Sequence, residues 1–137
     1  MRAYFYDNPA SITALELREL YSYTSWGKSR EVSGIEQMLR NTDLCFSARL
    51  DDKLVGFCRM LTDFTYRGVL LDIAVHPDYQ GRGLGSALID YALTHPRTKD
   101  LPLVMTFTTQ LAPFLEKWGF KPHEGLLLCL RRPLAHS

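Results

Sequence analysis

A strand-length apolar run, Val69 to Val75, is broken by His76-Pro77 and passes almost at once into three alternating glycines, Gly81, Gly83 and Gly85. Leu84, Leu88 and Tyr91 then fall on one helical face, so the stretch predicts strand, glycine loop and helix. Glycine lets a backbone turn tightly and bring its N–H groups against an anion. The unpaired N–H groups of the next helix's first turn, at the positive end of its dipole, favour a phosphate there. Gln80 and Arg82 add side-chain donors. A dinucleotide loop needs its third glycine one residue later, and a P-loop needs Gly-Lys-Ser or Gly-Lys-Thr, so neither pattern is met.

With 137 residues, 46% of them apolar, the chain is long enough to enclose one core and too short for two domains. A net charge of +1, with basic residues scattered apart from Arg131-Arg132, gives no reason to expect nucleic acid or an anionic membrane as partner. A small molecule is the simpler expectation. Cys45, Cys58 and Cys129 are odd in number, lack metal-site spacing and lie in apolar stretches, which predicts free, buried thiols and no metal. The N-terminus has no sustained apolar segment and no later run reaches membrane-spanning length, so a cytoplasmic location is expected.

Ala3 to Tyr6 reads as a first strand ended by Asn8-Pro9. Thr13-x-x-Glu16 has the spacing of a capping box and predicts a helix from Thr13 to about Tyr23. A second helical pattern at Val32, Ile35 and Leu39 starts from Ser33 or Ser29. From Leu44 to Leu61 the period changes to two, and Asp51-Asp52-Lys53 interrupts it, which predicts an antiparallel hairpin. After the central strand, the loop helix runs from Gly83 to Thr94 and stops at His95-Pro96. Leu103 to Phe107 reads as a strand, followed by a short helix with Pro113 in its first turn and Gly119 at its C-terminal cap. Phe120 to His123 and Leu126 to Leu130 are expected to pair across Glu124-Gly125.

Gln80-Gly81-Arg82-Gly83-Leu84-Gly85 matches Gln/Arg-x-x-Gly-x-Gly/Ala, the pyrophosphate signature of the GNAT family of N-acetyltransferases, and Val75-His76-Pro77 resembles its lead-in. Ala112 to Phe120 resembles the Phe-Tyr-Glu-Lys-x-Gly-Phe segment on the far side of that family's cofactor tunnel. Val55-Gly56-Phe57 and Leu61-Thr62-Asp63 resemble its third strand and exit. The order of elements is also that of the family, so the resemblance covers nearly the whole chain. Within the family, the middle and end are most similar to the small plant serotonin N-acetyltransferase-like and uncharacterised bacterial branch.

The resemblance implies an α/β (α+β) fold, a single domain over residues 1–137 with a central mixed, mostly antiparallel sheet flanked by helices. It implies acetyl-CoA as acyl donor, no metal, and direct attack on the thioester by a primary amine of a small molecule with both substrates bound. A protein lysine or N-terminus as acceptor, or a non-catalytic acyl-CoA-binding module, is the alternative. Homodimers are common among similar proteins. The implied cofactor contacts are the strand backbone at Ile73, Ala74 and Val75, the loop residues Gln80, Gly81, Arg82, Gly83, Leu84, Gly85 and Ser86, and Phe114. An N–H at Ile73 would polarise the thioester carbonyl, a fixed peptide dipole acting where negative charge develops.

Asp72 is the one charge within the central strand. Desolvation there would raise its pKa toward the range of a general base, and a strand carboxylate bonded to a loop or an arginine is the structural alternative. Trp26, Asp63 and Tyr66 are candidates for an acceptor pocket, because an aromatic and a carboxylate together suit an amine; Trp26 closing the core and Asp63 starting a turn are the alternatives. Leu115 stands where the similar family has the tyrosine thought to protonate the departing thiolate, and leucine supplies no proton.

Overall fold

Thr13 and Glu16 start the first helix as their spacing predicts. In the computed structural model, which describes residues 2–108 and 110–133, Thr13 Oγ1 accepts from the Glu16 N–H at 3.1 Å. The Glu16 carboxylate accepts from the Thr13 N–H at 3.0 Å in return, capping α1 (Ala14–Tyr21). Arg49 grips the same carboxylate through Nη1 and Nη2, at 2.7 and 2.8 Å, and ties the helix start to strand β2 (Leu44–Leu50). These arginine hydrogen bonds, helped by the cap, lower the Glu16 pKa to about 2.

Helix α2 (Val32–Asn41) departs from expectation at its start, because Glu31 flanks it without a side-chain cap and neither Ser29 nor Ser33 serves. Its buried face, Ile35 and Leu39, supplies the hold that its end lacks. The hairpin forms as predicted between β2 and β3 (Lys53–Thr62). Its two-residue turn places Asp51 at φ 48° and Asp52 at φ 65°, the left-handed pair that matches the twist of the flanking strands.

With β1 (Ala3–Tyr6), β4 (Arg67–Val75) and β5 (Leu103–Thr106), the sheet runs β1-β2-β3-β4-β5, antiparallel throughout except for the parallel β4–β5 pair. Leu17, Leu20, Tyr21 and Ile35 cover one face against Cys45, Phe57 and Ala74. On the other face, Leu88, Ile89 and Ala92 of α3 (Leu84–Thr94) pack on Phe46, Val55, Met60 and Leu70. A sheet buried on both faces explains why β2 carries apolar residues at consecutive positions, Cys45 and Phe46. No helix among the described residues is long and apolar enough to cross a membrane.

The expected pairing of Phe120–His123 with Leu126–Leu130 is not formed: the chain from 120 to 133 has neither strand nor helix. Leu126, Leu127, Leu128 and Leu130 are 66–90% exposed, and Cys129 is exposed rather than buried, unlike Cys45 and Cys58. Two short segments joined by a turn gain too little unless a third strand or a helix covers them, and Pro122 removes a donor from the first.

The ionised form of Glu16 is the one that the fold favours, so its contribution is complete above the ordinary pKa near 4.5 and is lost as the pH falls toward about 2. Urea denaturation of Glu16→Gln is expected to show lower stability than the parent at neutral pH, with the difference shrinking through that acid range.

Candidate functional site

The site is built where β4 and β5 part. Their pairing ends at Leu70 and Thr106, with Thr106 Oγ1 donating to the Leu70 carbonyl at 2.8 Å. Immediately beyond, β4 carries one residue more than β3 across the interval from Arg59–Leu71 to Phe57–Ala74, so Cys58 faces both Asp72 and Ile73. Asp72 absorbs this bulge in the left-handed region, at φ 58°. The His76 N–H donates to the Val55 carbonyl at 2.8 Å, which directs His76 and Ala74 toward β3. By strand alternation, the Val75 peptide group turns the other way, into the gap, with Ile73 between it and the bulge. The Val75 carbonyl there accepts from Gln80 Nε2 at 3.0 Å, so one amide hydrogen of Gln80 positions the loop on the strand.

The glycines differ in their surroundings. Gly81 at φ 77° and Gly83 at φ 80° hold left-handed turns, and an added Cβ at either would meet no atom of the described residues within 4 Å: both face open space. At Gly85 an added Cβ would lie 3.7 Å from both Phe114 Cζ and Val75 Cγ2, an ordinary contact distance, so the helix start packs beside Phe114 and Val75. The first helical bond of α3 runs from the Ala87 N–H to the Gly83 carbonyl, and the N–H groups of Leu84, Gly85 and Ser86 have no acceptor among the described residues. Arg82 and Lys53 flank the Tyr79 ring at 5.4 and 5.7 Å, and Lys117 Nζ lies 3.5 Å from Ser86 Oγ. Arg82, in the loop that leads into α3, and Lys117, beside Ser86, thus put positive charge next to these donors, an arrangement that favours phosphate.

Phe114 belongs to α4 (Ala112–Leu115) and carries Lys117 over its ring at 4.6 Å. Leu115 points the other way and is 1% exposed within the core, so a tyrosine hydroxyl at this position would be buried among apolar side chains.

On the opposite face, Asp72 Oδ2 accepts from Tyr21 Oη at 2.9 Å, Arg30 Nη1 at 2.7 Å and Arg59 Nε at 2.7 Å. Burial alone would raise the Asp72 pKa, but the hydrogen bonds and charges of Arg30 and Arg59 outweigh it and hold the carboxyl below its usual range. The raised pKa that a general base needs is absent, and the arginine-bonded alternative describes the residue. Burial and the Asp72 charge push the Tyr21 hydroxyl in the other direction, above its ordinary range. The Arg30 guanidinium stands 5.0 Å from the Tyr21 ring centre and 5.3 Å from that of Trp26.

The pocket expected from Trp26, Asp63 and Tyr66 is not assembled. Trp26, 44% exposed, sits with Tyr21 and Arg30. Asp63 lies before β4 and uses Oδ1 to accept from the N–H groups of Thr65, Tyr66 and Arg67, which lowers its pKa and makes it a turn residue. Tyr66 is exposed beside it. Six residues of chain from Tyr66 to Asp72, at ~3.3 Å each, separate the two ends. Tyr21, Arg30, Arg59, Lys53 and Lys117 are the members that sequence reasoning missed; only Lys117, inside the Ala112–Phe120 landmark, had a local signal. Among the described residues no group of three His, Cys, Asp or Glu side chains is placed to hold a metal ion.

The family model described as "Acetyltransferase (GNAT) family" matches residues 11–120. An "Uncharacterized N-acetyltransferase ycf52" of Pyropia yezoensis is 29% identical over 80% of this chain and 66% of its own length. A ycf52-like protein of Prochlorococcus marinus is 30% identical over 71% of this chain, which spans 56% of that relative. The chain thus spans less than two thirds of the length of each of these relatives. A solved structure of a putative acetyltransferase from Xanthomonas campestris superposes with a TM-score of 0.82 at 25% identity, covering 90% of this chain and 87% of the other.

Replacing Asp72 by Asn is expected to cost about 3 kcal/mol of unfolding free energy, because two guanidinium groups lose their shared counter-charge in a site with little water. Urea denaturation at neutral pH reads this directly, and an unchanged midpoint would show that the network bears no load.

Proposed function

This chain belongs to the acetyltransferase (GNAT) family, and on that footing we propose that it transfers the acetyl group of acetyl-CoA to a primary amine of a small molecule. The observation that carries the reading is the continuous path from the open β4 edge at Ile73 and Val75 to the N–H groups of Leu84, Gly85 and Ser86. An extended amide-bearing arm can pair with a strand edge, and a pyrophosphate can occupy a helix start that has Arg82 in its leading loop and Lys117 beside Ser86. Acetyl-CoA joins those two chemistries in one molecule and supplies the activated acyl group.

An Ile73 N–H turned into the gap suits a carbonyl oxygen that gains negative charge as the amine attacks. In the balanced reaction the amine nitrogen forms the new C–N bond, the C–S bond breaks, and the amine proton passes to solvent. The sulfur leaves as thiolate, tolerable for a thiol whose free pKa is about 8.5. Neither Asp72, held ionised, nor Leu115 is needed for a proton transfer. The amine is then deprotonated by solvent before it attacks.

Three outcomes test this. Calorimetry is expected to show binding of coenzyme A, and thiol release from acetyl-CoA is expected with at least one class of small amine; absence of coenzyme A binding would overturn the reading. Gly83→Val should weaken coenzyme A at least about tenfold, since a side chain enters the open space at the loop and the left-handed turn costs ~1 kcal/mol or more. The logarithm of kcat/KM should climb with unit slope up to the acceptor amine's own pKa, and a plateau near neutral pH would reveal a protein base instead.

A further inference from the structure

The cluster around Asp72 is unbalanced. Two guanidinium groups, Arg30 and Arg59, share one carboxylate, leaving one surplus positive charge. Both arginines and Tyr21 converge on Oδ2, and no hydrogen bond from the described residues reaches Oδ1. The side chains of Asp72 and Arg59 are 8% and 14% exposed, whereas that of Arg30 is 32% exposed, so Arg30 is where solvent or a ligand meets the surplus charge.

Arg30 is also prepared for a partner. Only its Nη1 is engaged, by Asp72 at 2.7 Å and by a long contact to Met38 Sδ at 3.9 Å. Its Nε and Nη2 hydrogens have no acceptor among the described residues. The rings of Tyr21 and Trp26, edge to face at 5.3 Å, fix where the guanidinium lies. A planar fork held in one orientation with free parallel donors fits a carboxylate better than a point anion. Its place matters equally. Asp72 is the chain neighbour of Ile73, beside the gap, and consecutive Cα atoms lie ~3.8 Å apart. Arg30, bonded to Asp72 at 2.7 Å, is therefore one side chain removed from the β4 backbone where the gap opens.

Building on the acetyl-transfer reading, we propose that Arg30 receives a carboxylate of the acceptor, so that the acceptor is an amine carrying its own carboxylate, of the amino-acid class, and not a simple alkyl or aryl-alkyl amine. The surplus positive charge repels a lone ammonium and is neutralised by the carboxylate of such a molecule. Half-exposed Trp26 supplies an apolar wall beside the carboxylate. Arg30 acts as a specificity-determining residue here, with no part in the bond changes.

The test uses the full chain saturated with coenzyme A and matched pairs of acetylated products: N-acetylated aromatic, aliphatic and acidic amino acids against the corresponding N-acetylamines that lack the carboxylate. Binding by calorimetry or ligand-observed NMR reads the preference without requiring turnover. In the unmodified protein at least one carboxylate product is expected to bind about tenfold or more tighter than its decarboxylated partner, the scale of a hydrogen bond to a charged group. Arg30→Met should remove that preference, and Arg30→Lys, which keeps the charge without the fork, should restore only part of it. Equal or stronger binding of the neutral partners in the unmodified protein overturns the inference, as does a failure of every carboxylate to bind. A preference that survives Arg30→Met in a protein with cooperative unfolding overturns it as well. Coenzyme A binding measured in the same titrations separates the cases: if it holds while the carboxylate preference fails, only this inference falls, and if it is absent, the acetyl-transfer reading falls too.

Discussion

One carboxylate oxygen, Asp72 Oδ2, joins four parts of the molecule: α1 through Tyr21, the segment before α2 through Arg30, β3 through Arg59, and β4 itself. A buried ion pair adds little net stability compared with a well-packed apolar equivalent, because desolvation offsets most of the Coulomb attraction. Its effect here is geometric. The three donors hold Asp72 at a positive φ in the middle of a strand, and the resulting bulge turns the β4 edge away from β5 just where their pairing stops. The open gap thus begins beside a bulge whose one side chain is anchored on the far face of the sheet.

The two faces of β4 consequently have different chemistry while sharing one backbone. Toward the gap, β4 presents the peptide group of Val75, and the Gln80 side chain docks the glycine loop onto the Val75 carbonyl. On the other face, Asp72 meets guanidinium groups and aromatic rings. A strand that is mostly apolar can therefore position both an anion-binding loop and a charged cluster, with Arg67 at its start and Asp72 as its only polar side chains.

What could be read from the sequence was local. The Gly81–Gly85 spacing marked the loop because left-handed turns leave their trace in neighbouring residues, and Thr13 with Glu16 marked the start of α1 for the same reason. The environment of Asp72 was hidden, since its partners lie 13, 42 and 51 residues away and nothing near Tyr21, Arg30 or Arg59 announces a shared oxygen. Burial correctly suggested a perturbed pKa at Asp72, but the sign depended on those distant charges. Trp26, expected either in an acceptor pocket or closing the core, is 44% exposed, while Asp63 was fully explained by the three backbone donors that follow it. The leucines from 126 to 130 have the composition of a strand, but strand composition does not specify a pairing partner, and none is taken up.

The segment between α1 and α2 is stitched along its length. Thr24 Oγ1 donates to the Tyr21 carbonyl at 2.8 Å, the Gly27 N–H donates to Thr24 Oγ1 at 2.9 Å, and the Arg30 N–H donates to the Gly27 carbonyl at 3.1 Å. Tyr21 and Arg30, at its two ends, are both anchored on Asp72. An untethered surface loop of this length samples alternatives in nanoseconds to microseconds. This one can swing outward only by breaking charge-assisted bonds at a largely dry carboxylate, so it moves with the sheet as one rigid body, and the wall that it forms beside β4 is present before any ligand arrives.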